Sequence, residues 1–568
     1  MSDAIIEFRN FGFKYTSQAE PTLYDINLSV KRGEKVLICG PSGCGKSTLA
    51  HCINGLIPAS YSGEATGELT INGTSFRDLD IFKLSKTVGT VLQDSDAQFI
   101  GLTVGEDIAF ALENDRVPLD EMKRRVADVA RQVGVDEFLR HAPYELSGGQ
   151  KQRVSLAGVM VDDVDVLLFD EPLANLDPAT GKTTIELIDD IHKSTGKTVL
   201  IIEHRLEDVL HRDVDRIVLM GDGRIIADMT PAELLSSDLL IKNGIREPLY
   251  ITALKYAGVT INPAIGPQRM DTLDLSDDNV LKVQEWYSKA PGKKPLEDSP
   301  VILSARGIGY TYDNGCKALD NIDMDVRKGE MMSIVGKNGA GKSTFAKVIC
   351  GFVKPQEGTV SLNGTDMATL SIKERADHIG YVMQNPNQMI SKPMIRDEVA
   401  LGLTLKKKLT QEEIDAKVDE TLKICGLYPF RNWPVSALSY GQKKRVTIAS
   451  ILVMDPEVII LDEPTAGQDF RHYTDIMEFL RSINAMGITI ILITHDMHLM
   501  LEYCSRAVVL SDSKKIADMT CEGVLTDASV VEKANLKETS LSRLASVCSI
   551  GDGQDFIRRF IAADREAR

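Results

Sequence analysis

Four short motifs occur twice in this chain, in the same order and at almost the same separation. That repetition constrains the architecture before composition is considered. Gly40–Ser47 reads GPSGCGKS and Gly336–Ser343 reads GKNGAGKS. Leu146–Gln150 (LSGGQ) answers to Leu438–Gln442 (LSYGQ), Phe169–Pro172 (FDEP) to Leu461–Pro464 (LDEP), and His204 to His495. The separations Lys46 to Lys342, Ser147 to Ser439, Asp170 to Asp462 and His204 to His495 agree to within a few residues. The chain is therefore read as a duplicated domain, one copy over residues 3–230 and the other over 301–525. Between them, 231–300 reads as an extension of the first copy plus a linker. Pro248–Gly258 has helical character, and Ala290–Pro300 is rich in Pro and charge. Residues 526–568 read as a helical tail, packed or frayed, around the amphipathic Phe556–Ile561.

Each motif asks for specific chemistry. The pattern Gly-x-x-x-x-Gly-Lys-Ser follows a short apolar strand in both copies, Val36–Cys39 and Ser333–Val335, and precedes a helix expected to start at Ser47 or Ser343. Strand, loop and helix together are the context a phosphate-binding loop needs. Its glycines (Gly40, Gly43 and Gly45; Gly336, Gly339 and Gly341) let backbone N–H groups surround phosphate oxygens, and the helix N-terminus adds positive dipole. Ser42 and Asn338 lie within the loops, and Thr48 and Thr344 close them. Lys46 and Lys342 would reach the terminal phosphates, and Ser47 and Ser343 would ligate Mg²⁺.

Val166–Phe169 and Val458–Leu461 are unbroken apolar runs, as buried parallel strands are, and each ends in Asp-Glu-Pro. Ligands of open α/β sheets sit at the carboxyl ends of strands. Asp170 and Asp462 are thus placed to hold the Mg²⁺ shell, and Glu171 and Glu463 to orient or deprotonate an attacking water. Thr198–Ile202 and Ile488–Ile493 lead into His204 and His495, which read as γ-phosphate sensors at the same sheet edge. Ser147 with Gln150, and Ser439 with Gln442, match the Ser-x-x-Gln capping box ahead of helices expected over Lys151–Met160 and Lys443–Met454. Such an N-terminus can cap a helix, bind a phosphate, or do both; spacing leaves these open.

Net charge −17 argues against a nucleic-acid partner or attraction to an anionic membrane surface. The nine cysteines form no Cys-x-x-Cys pair, so metal-site spacing is absent, and scattered thiols fit a reducing compartment. Met1–Ala4 runs straight into a strand-like segment and reads as no signal peptide. The longest apolar runs, such as Ile488–Ile493, fall far short of a bilayer span, so a membrane role would need separate partners.

Both copies resemble the nucleotide-binding domains of ATP-binding-cassette proteins, the LSGGQ run between phosphate loop and Asp-Glu-Pro being the most specific mark. The resemblance implies an α/β fold: two tandem P-loop NTPase domains, each with a mainly parallel sheet core, an antiparallel β subdomain and a helical signature subdomain. It implies ATP and Mg²⁺ as ligands and head-to-tail intramolecular pairing of the copies. One site would combine Lys46, Ser47, Gln93, Asp170, Glu171 and His204 with Ser439 and Gly441; the other Lys342, Ser343, Gln384, Asp462, Glu463 and His495 with Ser147 and Gly149. Gln93 and Gln384 match the glutamine that touches Mg²⁺, Tyr15 and Tyr312 the aromatic that stacks on adenine, and Asp177 and Asp469 the D-loop aspartate.

The segments Gln98–Phe110 and Glu203–Asp208 (EHRLED) look like those of energy-coupling-factor importer ATPases. Those drive vitamin and cobalt or nickel uptake through an integral-membrane coupling subunit and a small substrate-binding membrane subunit, from the cytoplasmic face of the membrane. Pro464–Asp469 looks like the branch linked to a thiamine precursor. A soluble tandem cassette on ribosomes and an exporter ATPase are the rivals; the acidic charge and short linker disfavour the first. Tyr440 replaces a signature glycine and Gln468 a D-loop leucine, so closure at Tyr440 is expected to be less efficient. Both copies keep their Glu, so both sites are expected to hydrolyse ATP. Alkylation of Cys44 inside the first loop is expected to block that site, with ATP protecting it.

Overall fold

The structure is a computed structural model describing residues 4–93, 98–174, 176–292, 299–465 and 468–567. It divides into two compact units, one of Met1–Ser288 with Asp469–Arg471 and one of Lys289–Gln468 with His472–Arg568.

In the first unit the sheet that carries the motifs has six strands, in the order Arg224–Met229, Arg216–Gly221, Lys35–Cys39, Thr198–Ile202, Val166–Asp170, Val88–Val91. Only the Arg224–Met229 edge is antiparallel; the other pairings are parallel. Its strands show why their sequences are unbroken apolar runs. Leu37, Leu167, Phe169, Val199 and Ile201 pack into a core shared with the helices, including Ile108 and Val154. Their neighbours Val36, Ile38, Val166, Leu168, Leu200 and Ile202 pack into a second core with Phe8, Phe11 and Phe13. A strand's side chains alternate between faces, so a sheet covered on both sides must be apolar at every position.

The second core is closed by a four-stranded antiparallel sheet, Leu23–Lys31, Ala4–Tyr15, Gly63–Ile71 and Thr74–Ser75. Phe8 and Phe11 meet there edge to face, centroids 5.3 Å apart. The first core is covered by helices Val104–Asn114, Leu119–Val133 and Gly148–Met160. The helix after Asp-Glu-Pro, Pro178–Thr195, starts and stops by rule: Asp177 accepts the Thr180 N–H, Pro178 needs no N–H at the first position, and Gly196 ends it at φ 64°.

The second unit repeats this plan. Its six-stranded sheet is ordered Ile379–Val382, Val458–Asp462, Thr489–Ile493, Met331–Gly336, Arg506–Ser511, Lys514–Thr520, and its antiparallel sheet Lys317–Arg327, Val301–Thr311, Glu357–Leu362, Thr365–Asp366. Between them Met332, Ile334, Ile460, Ile491 and Phe345 form one core with Leu303 and Ile322.

Two local expectations shift. The phosphate-loop helices begin at Lys46 and Lys342, one residue before the expected serines. The signature helices run Gly148–Met160 and Tyr440–Leu452, starting at the residue after each capping serine. Glycine's low helix propensity hid the first turn, which the cap nonetheless holds. The tail is packed: the helix Gly553–Ala567 buries Phe556, Ile557, Phe560 and Ile561. The extension includes the helix Leu249–Tyr256 within the expected Pro248–Gly258; of Ala290–Pro300, 293–298 lie outside the described residues.

Candidate nucleotide-hydrolysis sites

Each phosphate loop folds around its own lysine. Lys46 Nζ donates to the carbonyls of Gly40 (2.8 Å) and Pro41 (2.9 Å). Lys342 Nζ donates to Gly336 (2.7 Å) and Lys337 (2.9 Å). Both lysines are buried, and a buried ammonium needs such acceptors. The turn into the helix passes through Gly45 at φ 100° and Gly341 at φ 99°, which side chains with a Cβ rarely adopt. At Gly43 and Gly339 a Cβ would meet nothing within 4 Å, so the loop crest is open. Ser42, Asn338 and Gly43 are exposed there, while Thr48 and Thr344 are buried behind the loops.

Tyr15 ends the strand Ala4–Tyr15 and Tyr312 follows the strand Val301–Thr311, and their hydroxyls hydrogen-bond Thr48 Oγ1 (3.0 Å) and Thr344 Oγ1 (2.9 Å). The ring expected to carry adenine is thus tied to the phosphate-loop helix of its own unit.

At the end of the strand Val166–Asp170, Asp170 and Glu171 sit half-buried. Asp170 Oδ1 is buried and accepts no hydrogen bond. Burial, reinforced by Glu171, pushes the Asp170 carboxyl up to about 6. An orphaned carboxylate oxygen beside a lysine and a helix N-terminus fits a divalent cation. Glu171 and Glu463 adopt left-handed backbone at φ 49° and 47°, uncommon for a residue with a Cβ. Their N–H groups donate to Ile202 O and Ile493 O, both at 2.9 Å, which holds the corner. Gln93 Nε2 donates to Glu171 Oε2 at 2.6 Å, and Gln384 Nε2 to Glu463 Oε2 at 3.0 Å. So in both units the glutamine expected at the metal reaches the glutamate expected at the water.

The histidines differ. His495 Nδ1 lies 2.9 Å from Glu463 Oε1. His204 Nδ1 lies 3.9 Å from Glu171 Oε1 and 3.2 Å from Glu203 Oε1. Burial raises the Glu171 carboxyl above its ordinary range, opposed by His204. Burial also acts most strongly on Glu463, but the adjoining His495, with Lys342 and Lys444, outweighs it and holds that carboxyl below the ordinary range.

The signature serines cap their helices. Gln150 N donates to Ser147 Oγ and Ser147 N to Gln150 Oε1 (2.8 Å); Ser439 and Gln442 repeat the pattern. Gln150 and Gln442 therefore use their amide oxygens on the cap. Ser147 and Ser439 are exposed, and Gly149 and Gly441 are half-buried in the first turns. The Tyr440 hydroxyl reaches Gln384 O at 3.4 Å and its ring lies under Lys444, 5.4 Å from Nζ. Asp469 directly precedes the helix Phe470–Ala485.

Some residues here carried no sequence signal. Tyr381 donates to Asp462 Oδ2 at 2.8 Å; its register partner Ile460 corresponds to Leu168 of the first unit, which pairs with Thr90. Lys444 donates to Glu463 O and Pro464 O, where the first unit has Gln152 donating to Pro172 O. Burial draws the Lys444 ammonium down to about 8. Ser343 is half-buried and acts to lower the Asp462 carboxyl against the larger effect of burial, whereas Ser47 is exposed.

Cys44 is 3% exposed, and burial raises its thiol against the pull of Lys46. Alkylation reports on thiolate and access together. A short maleimide pulse at neutral pH is therefore expected to label Cys316, the exposed one of the nine cysteines, and to reach Cys44 slowly. Peptide mass mapping should show the slow Cys44 adduct suppressed by ATP. Cys44 labelling as fast as Cys316, or indifferent to ATP, would refute this.

Comparison with known proteins agrees with these features. The ABC transporter family profile matches residues 23–174 and again 319–466. A second profile, described as ATP-binding cassette cobalt transporter, matches 237–310. An ABC transporter ATP-binding protein of Clostridium perfringens is 58% identical over 565 residues, covering 100% of this chain and 99% of that one. One from Enterococcus faecalis is 56% identical, covering 100% of both chains. One from Vibrio parahaemolyticus is 52% identical, covering 99% of this chain and 97% of that one. Among solved structures, cbiO1 of Clostridium perfringens, described as part of the ABC transporter complex cbiONQ, is 35% identical. It covers 44% of this chain and 99% of its own, with TM-score 0.39. The chain belongs to the ABC transporter ATP-binding family. It is an ATPase with two cassettes and the ATP-binding subunit of an ABC transporter.

Proposed function

We propose that this ABC ATPase powers an importer of the energy-coupling-factor type, bound peripherally at the cytoplasmic face of a membrane. Its cargo would be a vitamin, a vitamin precursor or a metal ion, carried through a separate coupling subunit and a small substrate-binding membrane subunit. The match of 237–310 to a profile described as a cobalt transporter cassette supports the cargo class. Among the described residues no helix is long and apolar enough to cross a membrane, which fits a transport role exercised through partners.

The observation that carries the hydrolytic mechanism is the cluster at each strand end: Gln93, Asp170, Glu171 and His204 in one unit, and Gln384, Asp462, Glu463 and His495 in the other. We read each phosphate loop as binding the phosphates of ATP through its N–H groups and lysine. Asp170 with Ser47 and Gln93, and Asp462 with Ser343 and Gln384, would hold Mg²⁺, which when bound neutralises charge on the phosphates. Glu171 and Glu463 orient the attacking water and take up its proton. Gln93 and Gln384 fix those carboxylates, and His204 and His495 address the terminal phosphate. In this reading each loop is completed by the signature helix of the other cassette, and fusion keeps that partnership at high effective concentration.

Affinity purification of the full-length chain from its native membranes tests the reading. It should bring down two kinds of integral-membrane protein together with a bound small molecule. Recovery with ribosomes at physiological salt and with no membrane protein would overturn it.

A further inference from the structure

We infer that Glu203 is a positioning residue for hydrolysis at the first site: it turns His204 away from Glu171 and ties the histidine's loop to the loop of the catalytic carboxylate. The inference rests on the proposed role of His204 at the terminal phosphate.

Glu203 is 0% exposed. It lies immediately past the strand Thr198–Ile202, and its own N–H donates to Ile38 O at 3.1 Å. A carboxylate is stable so deep only when its oxygens are occupied. Oε1 accepts the N–H groups of His204 (2.9 Å) and Arg205 (3.2 Å), and Oε2 accepts the N–H of Leu173 (3.3 Å). Leu173 lies two residues beyond Glu171, so one side chain bridges both loops. The same Oε1 lies 3.2 Å from His204 Nδ1, closer than Glu171 Oε1 at 3.9 Å. Arg205 completes the bridge by donating to Leu173 O.

The second unit supplies the comparison. Thr494 occupies the corresponding position, and its Oγ1 accepts the local N–H of Asp496, at 3.0 Å. With no long carboxylate behind it, His495 turns to Glu463 at 2.9 Å. The two constellations thus orient their histidines differently, and among the differences between them Glu203 touches the ring directly. Groups behind a functional histidine commonly set its ring orientation and the nitrogen it presents.

The test uses the full-length chain carrying Glu463→Gln, so that turnover reports the first site. Adding Glu203→Thr installs the second unit's residue. It should lower kcat by about tenfold, the usual cost of removing such a support, and change KM for ATP far less. Adding Glu203→Gln instead keeps Oε1 and its contacts to His204 and Arg205 but sets an NH2 against the Leu173 N–H, and should restore part of kcat. Thermal melts of both variants accompany the kinetics. A Glu203→Thr variant within twofold of its parent, or equal loss of kcat in both variants, would overturn the inference and leave the ATPase reading intact. A Glu463→Gln parent that turns over no ATP would instead sink the reading that the first site hydrolyses, and this inference with it.

Discussion

Replacing both Glu171 and Glu463 by Gln in the full-length chain is expected to abolish ATP turnover, by a factor of about 100 or more, while leaving ATP binding in place. A general base contributes typically 10²–10⁴-fold, and glutamine keeps the shape while removing the basic oxygen. The geometry favours a clean outcome. Each carboxylate is held through an N–H donated to the adjacent strand end and by a glutamine amide on Oε2. Neither contact is needed to fold the phosphate loop, whose lysines are satisfied by their own carbonyls. Phosphate release and nucleotide binding, measured on the same preparation, separate the two effects. Each single variant should retain part of the turnover. A Glu171→Gln protein as active as the parent would show that the first site contributes nothing to the rate.

Gly341→Ala should cost the second site its ATP affinity, by about 100-fold, with a fall in melting temperature of several degrees. Gly341 sits at φ 99°, and a Cβ there would stand 2.3 Å from Ala318 O and 3.0 Å from Leu319 Cδ2. The first of those atoms is strand backbone and cannot rotate away, so the start of the helix Lys342–Cys350 must move. That displaces the N–H groups that would receive phosphate. Gly487→Ala is the control: its φ of 97° is nearly the same, but a Cβ would meet nothing within 4 Å. Backbone strain alone costs about 1–3 kcal/mol, so this variant should melt lower yet bind ATP as the parent does. Equal affinity loss in both would assign the effect to general destabilisation.

Much of this was legible before any coordinates. The duplication, the strand–loop–helix around each lysine and the carboxylates at strand ends follow from periodicity and spacing, because buried parallel strands and phosphate loops admit few sequences. What sequence did not yield were contacts between residues far apart in the chain. Tyr381 meets Asp462 because their strands are neighbours, and nothing in a local window says so. Glu203 opens the segment EHRLED, whose sequence carries a family likeness and no sign of the contact. Its work depends on Leu173, thirty residues earlier. The signature helices start three residues before the expected lysines, since Gly148-Gly149 in one and Tyr440-Gly441 in the other read as loop without the serine cap that holds them.

The alternation of strand residues between two cores bears on how such a protein can change over time. Val166, Leu168 and their partners belong to one layer and Leu167 and Phe169 to the other, with Asp170 and Glu171 following directly. Losing or gaining one residue in that strand would send each side chain into the wrong layer and rotate the carboxylates off the loop. Length is therefore frozen around the chemistry, and the two halves can diverge there only by exchanging one side chain for another. The contrasts between them at these strands and loops are of that kind: Thr90 against Tyr381, Gln152 against Lys444, Glu203 against Thr494. A duplicated catalyst built this way drifts in tuning while its frame stays fixed.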